Sequence, residues 1–132
     1  MCVFCKIING EIPSFKIYEN DYVLCFLDIN ASSKGHTLVV PKKHFNNIFD
    51  IDEEYSYQII HAIKIVVNKL KEKLGVENVN IINNSGVLAG QTVMHIHFHI
   101  IPRYENDGIT ISPKQTEPNF DLLKEIQDTI NN

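Results

Sequence analysis

Features that mark several protein classes are missing from this sequence of 132 residues. No apolar run approaches the roughly 18 residues that a membrane-spanning helix needs, so we expect no membrane partner. The first residues, Met1 to Lys6, lack the basic region and the hydrophobic stretch of a signal peptide. Three cysteines are too few for a disulfide framework. These absences predict a cytoplasmic protein.

The chain also lacks an excess of positive charge. Its 12 basic and 16 acidic residues give a formal net charge of -4, which argues against a nucleic-acid partner held by phosphate neutralisation. A small anionic ligand is compatible with this charge. With 44% hydrophobic and 21% charged residues the composition is that of a globular protein, and the length predicts a single domain over residues 1–132.

The hydrophobic pattern predicts an α+β domain. Stretches typical of strands, bounded by turn residues, lie at 15–18, 22–27, 36–40, 78–83 and 93–101. A helical period begins after Asp52 and ends at Gly75, a residue typical of a helix C-cap. A short amphipathic C-terminal helix is indicated by Leu122, Leu123, Ile126 and Ile130.

Histidine alternates with apolar residues in the segment 93–102. Because side chains alternate along a strand, His95, His97 and His99 are expected to share one face. The first and third would lie about 13 Å apart on a straight strand, which is too far for all three to bind one zinc ion. The alternative is that the three rings merely fill a solvated sheet face.

A short loop precedes these histidines. Gly90 allows close approach of the backbone to a ligand, and Gln91 and Thr92 supply neutral hydrogen-bond donors. Such a loop beside a histidine places donors for a phosphate next to a nucleophile or general acid.

These residues resemble the histidine-triad (HIT) family, whose members carry a Gly-Gln-Ser/Thr loop followed by three alternating histidines, as at 90–101 here. The N-terminal segment, the ribose-binding strand end and the third strand of the family are matched by residues 4–13, 26–29 and 34–44. The resemblance is strongest over 2–104 and points to the Hint-like bacterial branch. Residues 105–132 would form a variable loop and the C-terminal helix.

The resemblance implies a HIT-like fold, an antiparallel five-stranded sheet with one long helix and a short C-terminal helix, continued across a homodimer. It also implies that His97 attacks the α-phosphorus of a nucleotide and forms a nucleotidyl-histidine intermediate. His99 and His36 would orient His97 and supply hydrogen bonds, and His95 would lie toward the leaving group with Thr92. The motif does not identify the group that protonates a leaving amine.

For a purine nucleotide ligand, the resemblance places Asp28 on the ribose hydroxyls and the side chains of Gln91 and Thr92 on the phosphate oxygens. The active-site asparagine of the family corresponds to Asn84, with Asn83 as the alternative one position away. The remaining nucleotide-binding residues would be Gly90 and Val93, and, around the base, Phe4, Ile7, Ile12, Phe26 and Ile29.

Cys2 and Cys5 have the spacing of zinc ligands, and His44 follows the third predicted strand. Some bacterial members of the family hold a structural zinc with four residues that here are Cys2, Cys5, His44 and His95. The resemblance therefore implies a structural zinc and no organic cofactor. The alternative is a pair of unligated thiols beside a small core.

Three functions remain as hypotheses. The first is hydrolysis of a phosphoramidate or a related compound, which releases a nucleoside monophosphate through His97. The second is hydrolysis of dinucleoside polyphosphates, suggested by Thr92 and by the ending Ile101–Arg103. The third is a dimeric nucleotide-binding module whose slow hydrolysis is incidental.

Overall fold

The computed structural model describes residues 2–132, which form eight helices and strands and one 3-10 turn at Val87–Ala89. In chain order the elements are α1 Val3–Ile8, β1 Lys16–Glu19, β2 Val23–Leu27, β3 Thr37–Pro41, α2 Glu53–Leu74, β4 Val79–Ile82, β5 Phe98–Pro102 and α3 Phe120–Asn131. The predicted α+β class is confirmed. Among the described residues, no helix is long and apolar enough to cross a membrane.

The five strands form one sheet in the order β1-β2-β3-β5-β4, and every neighbouring pair is antiparallel. The first three strands follow one another directly in the chain, as the turn residues at 19–21 predict for a hairpin. The last strand, β5, inserts between β3 and β4, so residues 37–41 and 98–102, far apart in the chain, are neighbours in the sheet.

Helix α2 covers one face of the sheet. Its predicted boundaries are confirmed: Asp52 is the N-cap and Gly75 ends the helix in the left-handed conformation, with φ of 69°. The Gly75 N–H donates to the carbonyls of Leu70 and Lys71, which satisfies two free helix acceptors. The buried stripe of this helix packs on Val23, Cys25, Val39 and Ile100 of the sheet and consists of Ile59, Ala62, Ile63, Val66 and Leu70.

The opposite face of the sheet is covered by α1, which the sequence did not predict. This helix has six residues, too few to be stable alone, and its N-cap is the Cys2 thiol, which accepts a hydrogen bond of 3.2 Å from the Cys5 N–H. Phe4 is the buried residue of α1. The small core beneath it comprises Phe4, Leu24, Phe26, Leu38 and Val40.

The predicted strand at 93–101 is too long at its start. Strand β5 begins only at Phe98, and residues 93–95 form a bend. The Ile96 N–H donates to the carbonyl of Phe45, at 2.8 Å, and the His95 carbonyl accepts from the ring of His97, at 2.9 Å. Contacts outside the sheet thus take the backbone groups that a strand would pair, and the three histidines do not form one straight row.

The predicted C-terminal helix is confirmed as α3, capped by Asn119, whose side chain accepts from the Leu122 N–H. Its apolar side chains are nevertheless exposed, with Phe120 77% and Ile130 75% accessible. The preceding segment 105–119 holds no helix or strand, but its start is fixed, because the Asp107 carboxylate accepts two hydrogen bonds from Arg103.

Candidate active site and metal centre

A cavity of about 360 Å³ opens between α1 and the end of β2, and we call it the α1 pocket. Its walls are mainly apolar and are built by α1, by the segment 12–14 that follows it, and by the sheet face beneath. The lining also includes polar side chains. The residues that carry these side chains are Asp28, Asn30, Thr92, His97 and His99, with Ser14 on the segment after α1.

The ring of His97 lines this pocket and is 8% exposed. Its Nδ1–H donates to the carbonyl of His95 at 2.9 Å, which places the proton of the neutral ring on Nδ1. Nε2 then carries a free lone pair. The ring edge packs against Phe4, with ring centroids 5.0 Å apart, so its orientation is held by both a hydrogen bond and packing.

His99 and His36 form a second histidine pair. The Ser32 N–H donates to His36 Nδ1 at 2.9 Å, so a neutral His36 carries its proton on Nε2, which lies 2.9 Å from His99 Nδ1. His99 must accept there and therefore carries its own proton on Nε2. Burial, and then the neighbouring His97, lowers the pKa of His99 to about 4, and burial lowers the pKa of His36. Both rings are neutral at pH 7.

Asp28 follows the end of β2 and lines the α1 pocket. One of its oxygens, Oδ1, accepts the Asn30 N–H at 2.8 Å, and Oδ2 lies 3.6 Å from His36 Nε2. The carboxylate is thus oriented by its own loop, with lone pairs left for a ligand. Hydroxyl groups of a sugar are suitable donors to such an acceptor.

All five apolar residues expected around a base, Phe4, Ile7, Ile12, Phe26 and Ile29, line the α1 pocket. Ile29 is 84% exposed, which places it at the pocket mouth. The predicted site lacked six further residues that complete the lining, which are Val3, Pro13, Ser14, Leu27, Asn30 and Leu38. Their proximity depends on how α1 lies across the sheet, and no local motif encodes that packing.

The loop before the histidines divides into two parts. Thr92 and Val93 line the pocket, whereas Gln91 is only 4% exposed and its side chain belongs to the loop itself. The Gln91 amide nitrogen donates to the carbonyls of Asn46 and Val93, and its oxygen accepts the Gly86 N–H. These partners differ from the phosphate oxygens expected for this side chain.

The two candidate asparagines also have different surroundings. Asn83 donates to the carbonyl of His97 at 3.0 Å and accepts from Ser85 at 2.7 Å, so it links the end of β4 to the His97 backbone. Asn84 lies beside Gly90, whose φ of 93° favours glycine, and a Cβ on Gly90 would contact the Asn84 amide nitrogen at 3.8 Å. Neither asparagine is among the residues that line the pocket.

Cys2, Cys5, His44 and His95 converge on one point, and we call them the Cys/His cluster. The two thiol sulfurs lie 3.4 to 3.7 Å from the Nδ1 atoms of the two histidines, which are 3.1 Å from each other. Zn–S bonds of about 2.3 Å and Zn–N bonds of about 2.0 Å in a tetrahedron require sulfur–nitrogen separations of about 3.5 Å and nitrogen–nitrogen separations of about 3.3 Å. The donor set and its spacing therefore fit a zinc ion.

Both ring nitrogens of His95 are engaged. Nδ1 points into the Cys/His cluster, and Nε2–H donates to the carbonyl of Pro41 at 2.9 Å. On the other cluster histidine, Nε2 lies 3.3 Å from the Asn46 side-chain oxygen. Hydrogen bonds of this kind orient metal-ligating histidines. His95 is fully buried and does not line the α1 pocket, in contrast to its expected place toward a leaving group.

Burial affects the ionisation of the cluster. It raises the pKa of the Cys5 thiol, which the neighbouring Cys2 raises further, and it lowers the pKa of His95. Bringing two thiolates together in a partly buried site is unfavourable unless a cation compensates their charge. The cluster therefore has the chemistry of a site that is completed by a metal ion.

Comparison with known proteins places this chain among relatives of similar length. A model of the HIT domain matches residues 9–106. An uncharacterized HIT-like protein of Methanocaldococcus jannaschii is 52% identical over 96% of this chain and 99% of its own length. An adenosine 5'-monophosphoramidase of Saccharomyces cerevisiae is 39% identical over 92% of this chain and 75% of its own length.

Solved structures agree with these relatives. A crystal structure from Streptococcus mutans UA159 superposes with a TM-score of 0.94 at 41% identity, covering 98% of this chain and 83% of the other. A Zn-bound histidine triad family protein from Mycobacterium smegmatis superposes with a TM-score of 0.78 at 31% identity, covering 97% of this chain and 96% of the other. By sequence and by fold, the chain belongs to the histidine-triad (HIT) family.

Proposed function

We propose that this protein is a nucleotide hydrolase that cleaves a nucleoside monophosphate from a phosphoramidate or a related leaving group. The observation that carries the proposal is the state of His97 in the α1 pocket. Its Nδ1–H is held by the His95 carbonyl, and its Nε2 is left as a free nucleophile on a residue that lines a mainly apolar cavity. The similarity to an adenosine 5'-monophosphoramidase supports the same reaction.

In the first step, the Nε2 lone pair of His97 forms a bond to the α-phosphorus, and the bond from phosphorus to the leaving nitrogen breaks. The leaving amine takes up one proton. That proton comes from solvent, because a neutral imidazole is too weak an acid to give up its last proton. His99 would instead donate a hydrogen bond from Nε2 to the departing group or a phosphate oxygen, since His36 occupies its Nδ1 and keeps its proton on Nε2. In the second step a water attacks phosphorus, the bond from phosphorus to Nε2 of His97 breaks, and the water loses one proton to solvent.

The nucleoside would lie along the rest of the pocket. Asp28 would accept hydrogen bonds from the ribose hydroxyls, and the apolar walls around Phe4 and Phe26 would contact a purine base. We assign the phosphate oxygens to Thr92 and to backbone groups of the loop 90–93, with Gln91 holding that loop in shape. Asn83 and Asn84 would support the loop and the His97 backbone.

A rate assay tests this proposal. An adenosine phosphoramidate and a series of diadenosine polyphosphates are compared as substrates for the parent and for His97→Ala. The proposal expects faster cleavage of the phosphoramidate by the parent and loss of turnover in the variant. Faster polyphosphate cleavage would replace the proposed substrate class. Tight AMP binding with negligible turnover would identify a binding module.

We further propose that the Cys/His cluster holds a structural zinc. Four protein donors would fill a tetrahedral shell and leave no position for a water, so the ion would stabilise the fold and would not activate a nucleophile. Cys2 and Cys5 would tie α1 to His44 and to the segment before β5. Elemental analysis of untagged protein should give about one zinc per chain.

We also propose that the protein acts as a homodimer that pairs the sheets of two chains. The edge strands β1 and β4 are available for such pairing, and Tyr57 and Ile60 are exposed on α2 with 64% and 61% of their surface accessible. Light scattering coupled to size-exclusion chromatography tests this. A mass near twice 15.1 kDa is expected, and a monomer mass at micromolar concentration would contradict the proposal.

A further inference from the structure

The loop of residues 31–35, which leads into β3, is attached to the far end of β5. The Ser33 hydroxyl donates to the carbonyl of Pro102 at 2.6 Å, and the Tyr104 hydroxyl donates to the carbonyl of Lys34 at 2.7 Å. A Cβ on Gly35 would lie 3.3 Å from the side chains of Leu70, Leu74 and Pro102, so the loop also packs closely against α2 and β5. Two hydroxyl groups therefore anchor this loop.

The anchored loop contains the Ser32 N–H, the backbone donor that fixes which nitrogen of His36 carries the proton. The Ser32 N–H reaches His36 Nδ1 only because residues 32–36 close a tight turn, in which the His36 N–H also donates to the Ser33 carbonyl at 3.1 Å. Loss of the Ser32 donor would let either nitrogen of His36 carry the proton. The proton position on His99 would then no longer be fixed.

The anchor is itself rigid. Tyr104 follows Arg103, whose guanidinium donates to both Asp107 oxygens, to the Asn80 side chain and to the Ile109 carbonyl. The Asp107 carboxylate also accepts the Tyr104 N–H at 2.9 Å. The backbone of Tyr104 is thereby held beyond the end of β5, and its hydroxyl reaches the loop from a fixed point.

We propose that Ser33 and Tyr104 are positioning residues for the two neutral histidines, because their hydroxyl groups hold the loop that fixes the proton positions on His36 and His99. The inference rests on the proposed function, since it assigns a consequence for turnover. Neither Ser33 nor Tyr104 lines the α1 pocket, so their removal should act on the chemical step and not on nucleotide binding.

The test uses Tyr104→Phe and Ser33→Ala in the full chain, each of which removes one hydroxyl. Ser56→Ala and Thr129→Ala are controls, because the Ser56 and Thr129 hydroxyls also donate to a nearby carbonyl but lie on α2 and α3, away from the pocket. Adenosine phosphoramidate turnover is measured together with AMP affinity. Long-range proton–nitrogen NMR correlations report the tautomers of His36 and His99 without any substrate.

Each single variant should lower kcat about three- to tenfold, the range expected when one hydrogen bond in a network is lost, and the double variant should lower it further. KM and AMP affinity should stay within about twofold. The NMR signals of His36 and His99 should change from one tautomer to a mixture, and the two controls should match the parent in every measurement.

Unchanged tautomers together with unchanged kcat would overturn the inference. A rise in KM at constant kcat would also overturn it, because it would assign the loop to nucleotide binding. If the parent hydrolyses none of the substrates, the proposed function fails, and the NMR comparison alone still decides whether the two hydroxyls position the histidines.

Discussion

The α1 pocket and the Cys/His cluster lie on either side of Phe4, yet both are built from the same histidine-rich segment. The Phe4 ring packs edge-on against His95, with ring centroids 5.8 Å apart, and against His97, at 5.0 Å. His95 has both ring nitrogens engaged and no exposed surface. His97 has one nitrogen bound and one left free at a cavity.

The difference between these two rings teaches how one motif serves two purposes. A histidine whose two nitrogens are both fixed is suited to hold structure, and a histidine with one free nitrogen beside a cavity is suited to react. The two regions are also coupled, because the His95 carbonyl that orients His97 belongs to the residue that anchors the Cys/His cluster. Substitutions in the α1 pocket and in the Cys/His cluster can therefore separate the catalytic role of His97 from the structural role of His95.

The largest effect is expected for His97→Ala. Removal of the nucleophile should lower hydrolysis of an adenosine phosphoramidate by at least about a thousandfold. Zinc content should stay near that of the parent, because the side chain of His97 is not part of the Cys/His cluster. His61→Ala, which removes an exposed histidine of α2, is the matched control. Retention of most activity in the His97 variant would refute the nucleophile assignment.

The next largest effect is expected for Cys5→Ser, which removes one proposed zinc ligand. Zinc per chain should fall sharply, and Tm should fall by about 10 °C, corresponding to about 2 to 3 kcal/mol in a domain of this size. Because the Cys2 and Cys5 segment also carries Phe4 and Ile7 of the pocket, AMP affinity should fall at temperatures where α1 detaches. A chelator should reproduce the loss of Tm in the parent.

The control for this variant is the chelator itself. If the parent contains no metal and its Tm is the same with and without chelator, the two thiols are ordinary cysteines. His95 would then hold its place through the Pro41 carbonyl and the packing of Phe4 alone.

The sequence predicted those parts of the fold whose signals are local. Helix α2 has a long apolar period and a glycine at its end, and the first three strands are bounded by turn residues and by Pro41. Helix α1 was missed because six residues give no helical period, and it is held by the Cys2 cap and by packing of Phe4 on the sheet. Tertiary contacts outweigh local preference there.

In the candidate site, too, the sequence predicted what local signals determine and missed what depends on distant contacts. The family resemblance was sufficient to bring His97, Thr92 and Asp28 to one pocket. Asp28 follows β2, and Thr92 and His97 precede β5, and the sequence predicted both of these strands. It was not sufficient for Gln91, whose amide nitrogen donates to the carbonyl of Asn46, 45 residues away in the chain. For His95 the resemblance implied two places, beside Cys2, Cys5 and His44 and toward a leaving group, and the structure brings it together with the cysteines and His44, with its Nε2 on the carbonyl of Pro41, 54 residues away. Which nitrogen or amide group is already occupied depends on these distant contacts.

An intermediate effect is expected for Asp28→Ala. Loss of hydrogen bonds from the ribose hydroxyls to a charged acceptor should weaken AMP binding by about 1.5 to 3 kcal/mol, measured by calorimetry. The variant should also lose its preference for AMP over the 2'-deoxy compound. Asp21→Ala, at an exposed turn, serves as the control. A variant that prefers ribonucleotides as strongly as the parent would show that the ribose binds elsewhere.

The smallest effect concerns the pH dependence of stability, to which both regions contribute. Burial lowers the pKa of His99 to about 4 and also lowers the pKa values of His36 and His95. The unfolded chain takes up these protons near pH 6.5, the ordinary pKa of histidine, whereas the folded chain takes them up only at lower pH. The stability that depends on these neutral rings is therefore complete above about pH 6.5 and is lost as the pH falls toward 4.

His99→Gln separates the pocket from the Cys/His cluster in this respect. Glutamine keeps an acceptor for the His36 Nε2–H but has no proton to gain, so the variant should lose less Tm than the parent between pH 7 and pH 5. Both proteins are measured with excess chelator, because acid also releases a metal from thiolate and imidazole ligands. Without chelator, this release would steepen the dependence of Tm on pH equally in both proteins. Parallel curves would mean that His99 adds nothing to the acid sensitivity, and that the remaining slope comes from His36, His95 and other groups.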